Sequence, residues 1–274
     1  MKRLLLPLLL FILVPTVFAQ NLRAIRLMTA DDVGIAAAYY PVVAARAPAL
    51  LLIHGFGQSR DEWNALAPLL QRNGIAVLTL DLRGHGQSTR RLTARGPQLV
   101  DHHNFTTQDY QALLLDVNAA MDWLLEQPGI DPKRIGLIGA GIGANLALRY
   151  AMVKEDLAAL VLLSPGINYR GLRTDDAIKK VGNIPLRMVV SIDDMFAFES
   201  TKRLMEVRKE EGHADPKQLI VCTGNLFGTE LIKGVKDLPA QLIPWLRQAM
   251  LGETPETETP AAPAPKPVPA PPAR

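Results

Sequence analysis

The chain has 274 residues with a net charge of +3, and 48% of them are hydrophobic and 21% charged. That length suits one large α/β domain or two small ones, and the composition excludes a disordered chain, a disulfide-rich miniprotein and a multi-pass membrane protein. A single cysteine also excludes an internal disulfide and a thiolate metal cluster.

At the start, Lys2 and Arg3 precede an apolar run from Leu4 to Val14, and Thr16-Val17-Phe18-Ala19 offers a small-residue cleavage site after Ala19. This is the layout of a secretory signal peptide, and the run is short for a membrane span. An uncleaved anchor is the alternative; no cysteine stands at the junction to carry a lipid. The expectation is a secreted protein of a bacterial periplasm, with no integral membrane span once residues 1–19 are removed. Without Lys2 and Arg3 the net charge falls from +3 to +1. No Lys/Arg block interleaves with aromatics, so nucleic acid is not an expected partner.

Residues 20–252 alternate strand-like and helix-like stretches, which predicts one α/β domain with a mostly parallel sheet flanked by helices. Ala24–Thr29 and Gly34–Tyr40 read as an opening hairpin turning at Asp31-Asp32. Ala49–Ile53 is a continuous apolar run, as in a strand covered on both faces. Trp63–Arg72 reads helical and Ile75–Leu80 as a strand. Over 106–127, Tyr110, Leu113, Leu114, Val117, Met121, Leu124 and Leu125 share one helical face, with Thr106 or Thr107 as cap and Pro128-Gly129 as stop. Then come a strand at Arg134–Ile138, a helix at Ala144–Val153, and strands at Leu157–Leu163 and Leu186–Ile192. Ser200–Glu211 reads as a helix whose charges form a solvated face. Gln218–Cys222 is a last strand and Leu238–Met250 a last helix. No long insertion precedes Leu186, so no large lid is expected. Residues 253–274 carry eight of the 21 prolines and read as an extended, solvated tail able to contact a protein or envelope partner.

Three motifs sit at strand ends: His54-Gly55-Phe56-Gly57-Gln58-Ser59, Asp81-Leu82-Arg83-Gly84-His85-Gly86-Gln87-Ser88, and Gly139-Ala140-Gly141-Ile142-Gly143-Ala144. Together with Leu163-Ser164-Pro165-Gly166 and Ser191-Ile192-Asp193-Asp194 they resemble the α/β-hydrolase fold, and more closely its small lidless esterases and dienelactone-hydrolase-like members. The resemblance implies an eight-stranded, mostly parallel sheet. It also implies a serine inside Gly-x-Ser-x-Gly, then an acid, then a histidine.

Two of those three positions are changed. The middle position holds Gly141, which has no side chain to attack anything, and no serine lies between Gly136 and Tyr150. The acid position matches Asp194, with Asp193 second; either also reads as a plain cap for the next helix. In Gly224-Asn225-Leu226-Phe227-Gly228-Thr229-Glu230 the histidine position holds Phe227. A serine nucleophile needs an imidazole base near neutral pH, so loss of both predicts loss of serine-hydrolase chemistry. The resemblance leaves the oxyanion donors in place: the backbone N–H groups of Phe56 and Ile142, at a helix N-terminus that favours negative charge. His54 is expected to support that loop, and His85 to be structural.

The expectation is therefore a binder of a small acyl or carboxylate ligand, or an interaction module, with no cofactor and no metal. The alternative is an active carboxylic-ester-type hydrolase with a non-standard base, water or bound metal, drawing on Asp193, Asp194, His102 or His103. His102 and His103 otherwise read as solvent-exposed loop residues. His213 stands before the last strand, at the wrong end of the sheet. Cys222 reads as a buried small hydrophobe, and Ser164 as a strand-end residue with no nucleophilic role. The Gly139–Gly143 glycines lack the context of a dinucleotide fingerprint.

Overall fold

The computed structural model describes residues 22–154 and 156–252. The signal-like segment 1–19 and the proline-rich segment 253–274 lie outside the described residues.

The opening hairpin is β1 (Arg23–Met28) and β2 (Val33–Tyr40), followed by β3 (Ala47–Ile53), α1 (Ala67–Arg72) and β4 (Ala76–Leu80). Two-residue strands β5 (Arg90–Arg91) and β6 (Gln98–Leu99) precede α2 (Thr107–Leu125), β7 (Ile130–Ala140), α3 (Ile142–Ala151) and β8 (Ala159–Leu163). A small separate hairpin, β9 (Asn168–Tyr169) and β10 (Leu172–Arg173), leads into α4 (Asp175–Lys180). The chain ends with β11 (Leu186–Ser191), α5 (Met195–Glu210), β12 (Leu219–Cys222), α6 (Glu230–Gly234) and α7 (Leu238–Leu251).

The main sheet has ten strands in the order β12-β11-β8-β7-β3-β4-β2-β5-β6, with β1 also on β2. From β4 to β12 the pairings are parallel, and β2 runs antiparallel to β1, β4 and β5. Eight strands were expected; β5 and β6 are the additions. They form because Val33 and Gly34 offer free backbone groups to Arg91 and Arg90, a pairing no local propensity encodes. No helix among the described residues is long and apolar enough to cross a membrane.

The two-face burial expected of β3 holds. Ala49, Leu51 and Ile53 face a core shared with Leu113, Val117 and Leu124 of α2 and with α3. Leu50 and Leu52 face a second core with Trp63, Leu70, Leu242 and Leu246. Each fully buried leucine contributes about 2 kcal/mol by removing apolar surface from water. Helix α2 begins as expected: Thr106 caps it, with Asp109 bonding back to the cap N–H.

Two readings of the α5 region need correction. The helix starts at Met195, capped by Asp194, whose Oδ1 accepts the Ala197 N–H at 3.2 Å. Its charges are not all solvated either: Arg208 is buried and donates to Gln218 Oε1 and to the carbonyls of Val181, Gly182 and His213. A guanidinium with five donors is accommodated indoors when carbonyls surround it.

A buried ionic cluster fixes the loop after β4. Arg83 donates its N–H and Nε to Asp116 at 2.8 Å each, and its NH1 and NH2 to Asp31 at 2.7 and 2.8 Å. The guanidinium holds the Asp31 carboxyl well below the usual carboxylate range. Asp116→Ala leaves Arg83 with one partner fewer in a place without water. The expected loss is about 3–5 kcal/mol of unfolding free energy, read as a lower urea midpoint. A change under 1 kcal/mol would show that water replaces the carboxylate.

Candidate functional site

Because β3, β4, β7, β8, β11 and β12 run parallel, the loops after them gather at one edge of the sheet. The turn from β7 into α3 is the centre. Gly141 has φ 55° and ψ −117°, a conformation close to Gly-only territory. Its N–H donates to Leu163 O at 2.9 Å, and its carbonyl accepts from Ala144 N at 3.0 Å. The flanking Gly143 has a steric reason: a β-carbon there would strike the carbonyl oxygens of Ile53 and His54.

Phe227 stands directly over Gly141. A β-carbon at position 141 would lie 2.8 Å from Phe227 Cζ and 3.1 Å from its Cε1. The third nearest atom is Gly55 Cα at 3.9 Å, so no histidine ranks among the three nearest neighbours of that point. Phe227 keeps 42% of its surface exposed, so its ring forms part of the outer face of the site.

The loop carrying Phe227 is tied to the strand ends. Ser164 sits at the end of β8 with φ 49°, and its Oγ accepts the Gly228 N–H at 2.9 Å. Ser164 is thus a brace, in line with its non-nucleophilic reading. Asp193 accepts the Gly224 N–H at 2.6 Å, so it supports the same loop. Asp194 is the other carboxylate, half-buried at the start of α5. Its Oδ1 caps Ala197, and its buried Oδ2 has no hydrogen-bond partner among the described residues. The two aspartates left open by sequence therefore differ: Asp193 is engaged with a backbone N–H, whereas Asp194 holds an unused oxygen.

The His54–Ser59 loop is organised by His54. Its Nδ1–H donates to Gly55 O at 2.7 Å and its Nε2 accepts the Leu82 N–H at 3.0 Å. Burial pushes its pKa down to about 4, so the ring is neutral and structural. His85 likewise donates Nδ1–H to Arg83 O at 2.8 Å, and burial lowers its pKa to about 4. Phe56 packs edge-on against His85 and His102, with centroids 5.4 and 5.2 Å apart. Among the described residues, the N–H groups of Phe56 and Ile142 donate to no acceptor.

His102 corrects the exposed-loop reading: it is largely buried, stacks on His85 at 4.0 Å and donates Nδ1–H to Gly84 O at 2.8 Å. His103 is 76% exposed, as expected. His213 lies against Gly182, at the N-terminal ends of β11 and β12, far along the strands from Gly141. Cys222 is only partly buried, a correction to the fully buried reading, because β12 is an edge strand.

Sequence reasoning missed the β9–β10 hairpin. Tyr169 packs on Phe196 at 5.0 Å and faces Phe227 at 6.5 Å, while burial and then the charge of Asp194 push its phenol up. Arg170, left-handed at φ 53°, holds its guanidinium 5.7 Å above the Phe56 ring and 5.9 Å above Tyr110. No carboxylate pairs with it among the described residues. The only available signal was Gly171, a turn residue.

The arrangement offers two backbone donors and a cation beside an aromatic wall. It offers no hydroxyl or thiol at the turn.

Comparison with known proteins gives a consistent picture. The family pattern described as the alpha/beta hydrolase fold matches residues 48–188. An uncharacterized protein of Mycobacterium tuberculosis is 28% identical over 215 residues, spanning 72% of this chain and 69% of that protein. A fluoroacetate dehalogenase of a Burkholderia species is 35% identical over 115 residues, covering 42% of this chain and 33% of its own length. An esterase of Pyrococcus furiosus superposes with a TM-score of 0.65 at 19% identity, over 84% of this chain and 93% of that one, a likeness of fold alone.

Proposed function

The chain belongs to the α/β-hydrolase fold family, and on that premise we propose that it is a secreted, periplasmic member that has given up serine-hydrolase catalysis and binds a small acyl or carboxylate ligand. The carrying observation is the contact between Gly141 and Phe227: the turn keeps its φ of 55°, and an aromatic ring fills the space a β-carbon would enter. The uncommitted N–H groups of Phe56 and Ile142 support binding of a carbonyl or carboxylate oxygen. Arg170 supports a negative charge in the ligand, held between its guanidinium and the Phe56 edge of the site. The match to a dehalogenase of fluoroacetate, itself a small carboxylate, fits that class. The segment 1–19 supports export, and the proline-rich tail supports a contact with a protein or envelope partner.

The test pairs catalysis with binding. The full mature chain is expected to hydrolyse p-nitrophenyl acetate and butyrate no faster than buffer. It is expected to bind butyrate or hexanoate in ligand-observed NMR, with binding weakened about tenfold by Arg170→Ala, the loss of roughly one charge-assisted contact. Ester hydrolysis well above buffer would overturn the reading. Hydrolysis that also survives Asp194→Ala would point to the non-standard base instead.

A further inference from the structure

Away from Gly141, the loop after β6 gathers three ligating groups. A single turn of helix at His102–Asn104 is capped by Asp101, which accepts the His103 N–H at 3.0 Å. One donor atom each from Asp101, His102 and His103 lies within 4.8 Å of the other two. His103 Nδ1 already sits 2.8 Å from Asp101 Oδ1.

We propose that Asp101, His102 and His103 form a binding site for a divalent d-block cation of the zinc class. Two imidazoles and one carboxylate are the donors such ions favour; magnesium and calcium favour oxygen alone. His102 is prepared for the role. Its Nδ1, 3.9 Å from Asp101 Oδ1, is committed as a donor to Gly84 O, which orients the ring and makes Nε2 the nitrogen with a lone pair to offer an ion. A backbone carbonyl in that position is the usual outer partner of a metal-bound imidazole.

The surroundings hold the ring still. His102 is stacked between His85, 4.0 Å away at an interplanar angle of 17°, and His103, also 4.0 Å away. Phe56 packs on it from the side. His85 repeats the pattern, with Nδ1–H on Arg83 O and a buried Nε2 that has no partner among the described residues. His103 is exposed, so an ion arrives from solvent and the last ligand turns in without opening the core. No donor pair is more than 4.8 Å apart, and tetrahedral bonds of about 2.1 Å set each pair at about 3.4 Å, so the wider pairs close and the 2.8 Å His103–Asp101 pair opens slightly. Rotation of the exposed His103 side chain supplies that movement. Three protein ligands leave a coordination position for water.

The site stands whether or not the Gly141 turn is catalytically silent, because none of its ligands touches that turn. The test is calorimetry on the untagged chain, stripped by chelator and titrated with zinc chloride. One equivalent is expected to bind with Kd near or below about 10 μM, His103→Ala to weaken it at least about tenfold, and magnesium to give no heat. His103 is exposed, so that variant does not challenge the fold. His102→Ala with His103→Ala is expected to abolish binding. Cobalt(II) in place of zinc is expected to develop a visible absorption band that His103→Ala diminishes. No saturable zinc binding, or binding unchanged in both His103→Ala and Asp101→Asn, overturns the proposal.

Discussion

Gly141→Ser combined with Phe227→His is expected to raise hydrolysis of short acyl esters at least about 100-fold over the unmodified chain, the low end of what a positioned general base contributes. The expectation rests on how much of the machinery the backbone retains. The turn at Gly141 stands at the end of β7, and the side chain over an introduced β-carbon there is that of Phe227, the one the second substitution replaces. The N–H groups of Phe56 and Ile142 remain uncommitted. Asp194 keeps a buried Oδ2 without a hydrogen-bond donor among the described residues, the oxygen an introduced imidazole N–H would satisfy.

Neither substitution is expected to act alone. Gly141→Ser by itself drives a β-carbon to 2.8 Å from Phe227 Cζ, so the ring has to swing outward. It also places a side chain at φ 55°, at a cost of about 1–3 kcal/mol in stability. Phe227→His by itself supplies a base with nothing to activate. Each single variant is therefore expected to stay within about tenfold of the parent, because triad members act as a unit. Steady-state rates on p-nitrophenyl butyrate, with circular dichroism to establish folding, decide the matter. If the double variant folds and gains nothing, the Phe227 position does not deliver an imidazole to the turn. Labelling of the introduced hydroxyl by a fluorophosphonate reports separately on whether it is reactive.

The parts of this molecule legible in its sequence are those fixed by local rules. A run such as Ala49–Ile53 is apolar at every position because both faces of β3 are covered, and that continuity marks a central strand. Gly143 is dictated by carbonyls pressed against it, so glycine spacing marks the turn in the sequence itself. The pairing of Gly141 with Phe227 was a matter of order along the chain; in space it is a van der Waals contact. What stayed hidden depends on distant partners. Arg208 looks like one charge among many on α5 until the carbonyls of Val181 and Gly182 close around it. His102 looks like an exposed loop residue until Gly84, His85 and Phe56 surround it. Arg170 carries no mark beyond the neighbouring Gly171, because its position over Phe56 and Tyr110 follows from a hairpin that folds back onto residues far earlier in the chain.

Stability is expected to fall steeply as pH drops from about 6.5 to about 4, and His54 is the principal cause. The ring is buried with both nitrogens engaged, Nδ1–H on Gly55 O and Nε2 accepting from Leu82 N. Protonating Nε2 removes that acceptor and places a charge where no water reaches. The folded pKa is thus about 4, against 6.5 for an unhindered imidazole. Between those values the unfolded chain binds the extra proton, so the stability His54 contributes is fully present above about 6.5 and is lost on acidification. The slope is at most about 1.4 kcal/mol per pH unit for one histidine. His85, 5.2 Å from His54 and also lowered to about 4 by burial, adds in the same direction. Asp81 opposes its shift slightly, and His102 reinforces both. Asp116 works in the opposite sense over the same range, because burial outweighs the pull of Arg83 and pushes its carboxyl up to about 7, so the folded chain holds that proton first on acidification. The comparison that isolates the effect is therefore between the parent and His54→Asn. Urea unfolding in the presence of EDTA is expected to show a parent slope steeper than the variant's by up to about 1.4 kcal/mol per pH unit between pH 6 and 4.5. Nitrogen-15 NMR of the imidazoles reads the same equilibrium without a variant. A His54 ring that stays neutral, protonated only at Nδ1, down to pH 5 supports the account. A ring that titrates near 6.5 in the folded chain refutes it, because burial would then carry no penalty for the charge.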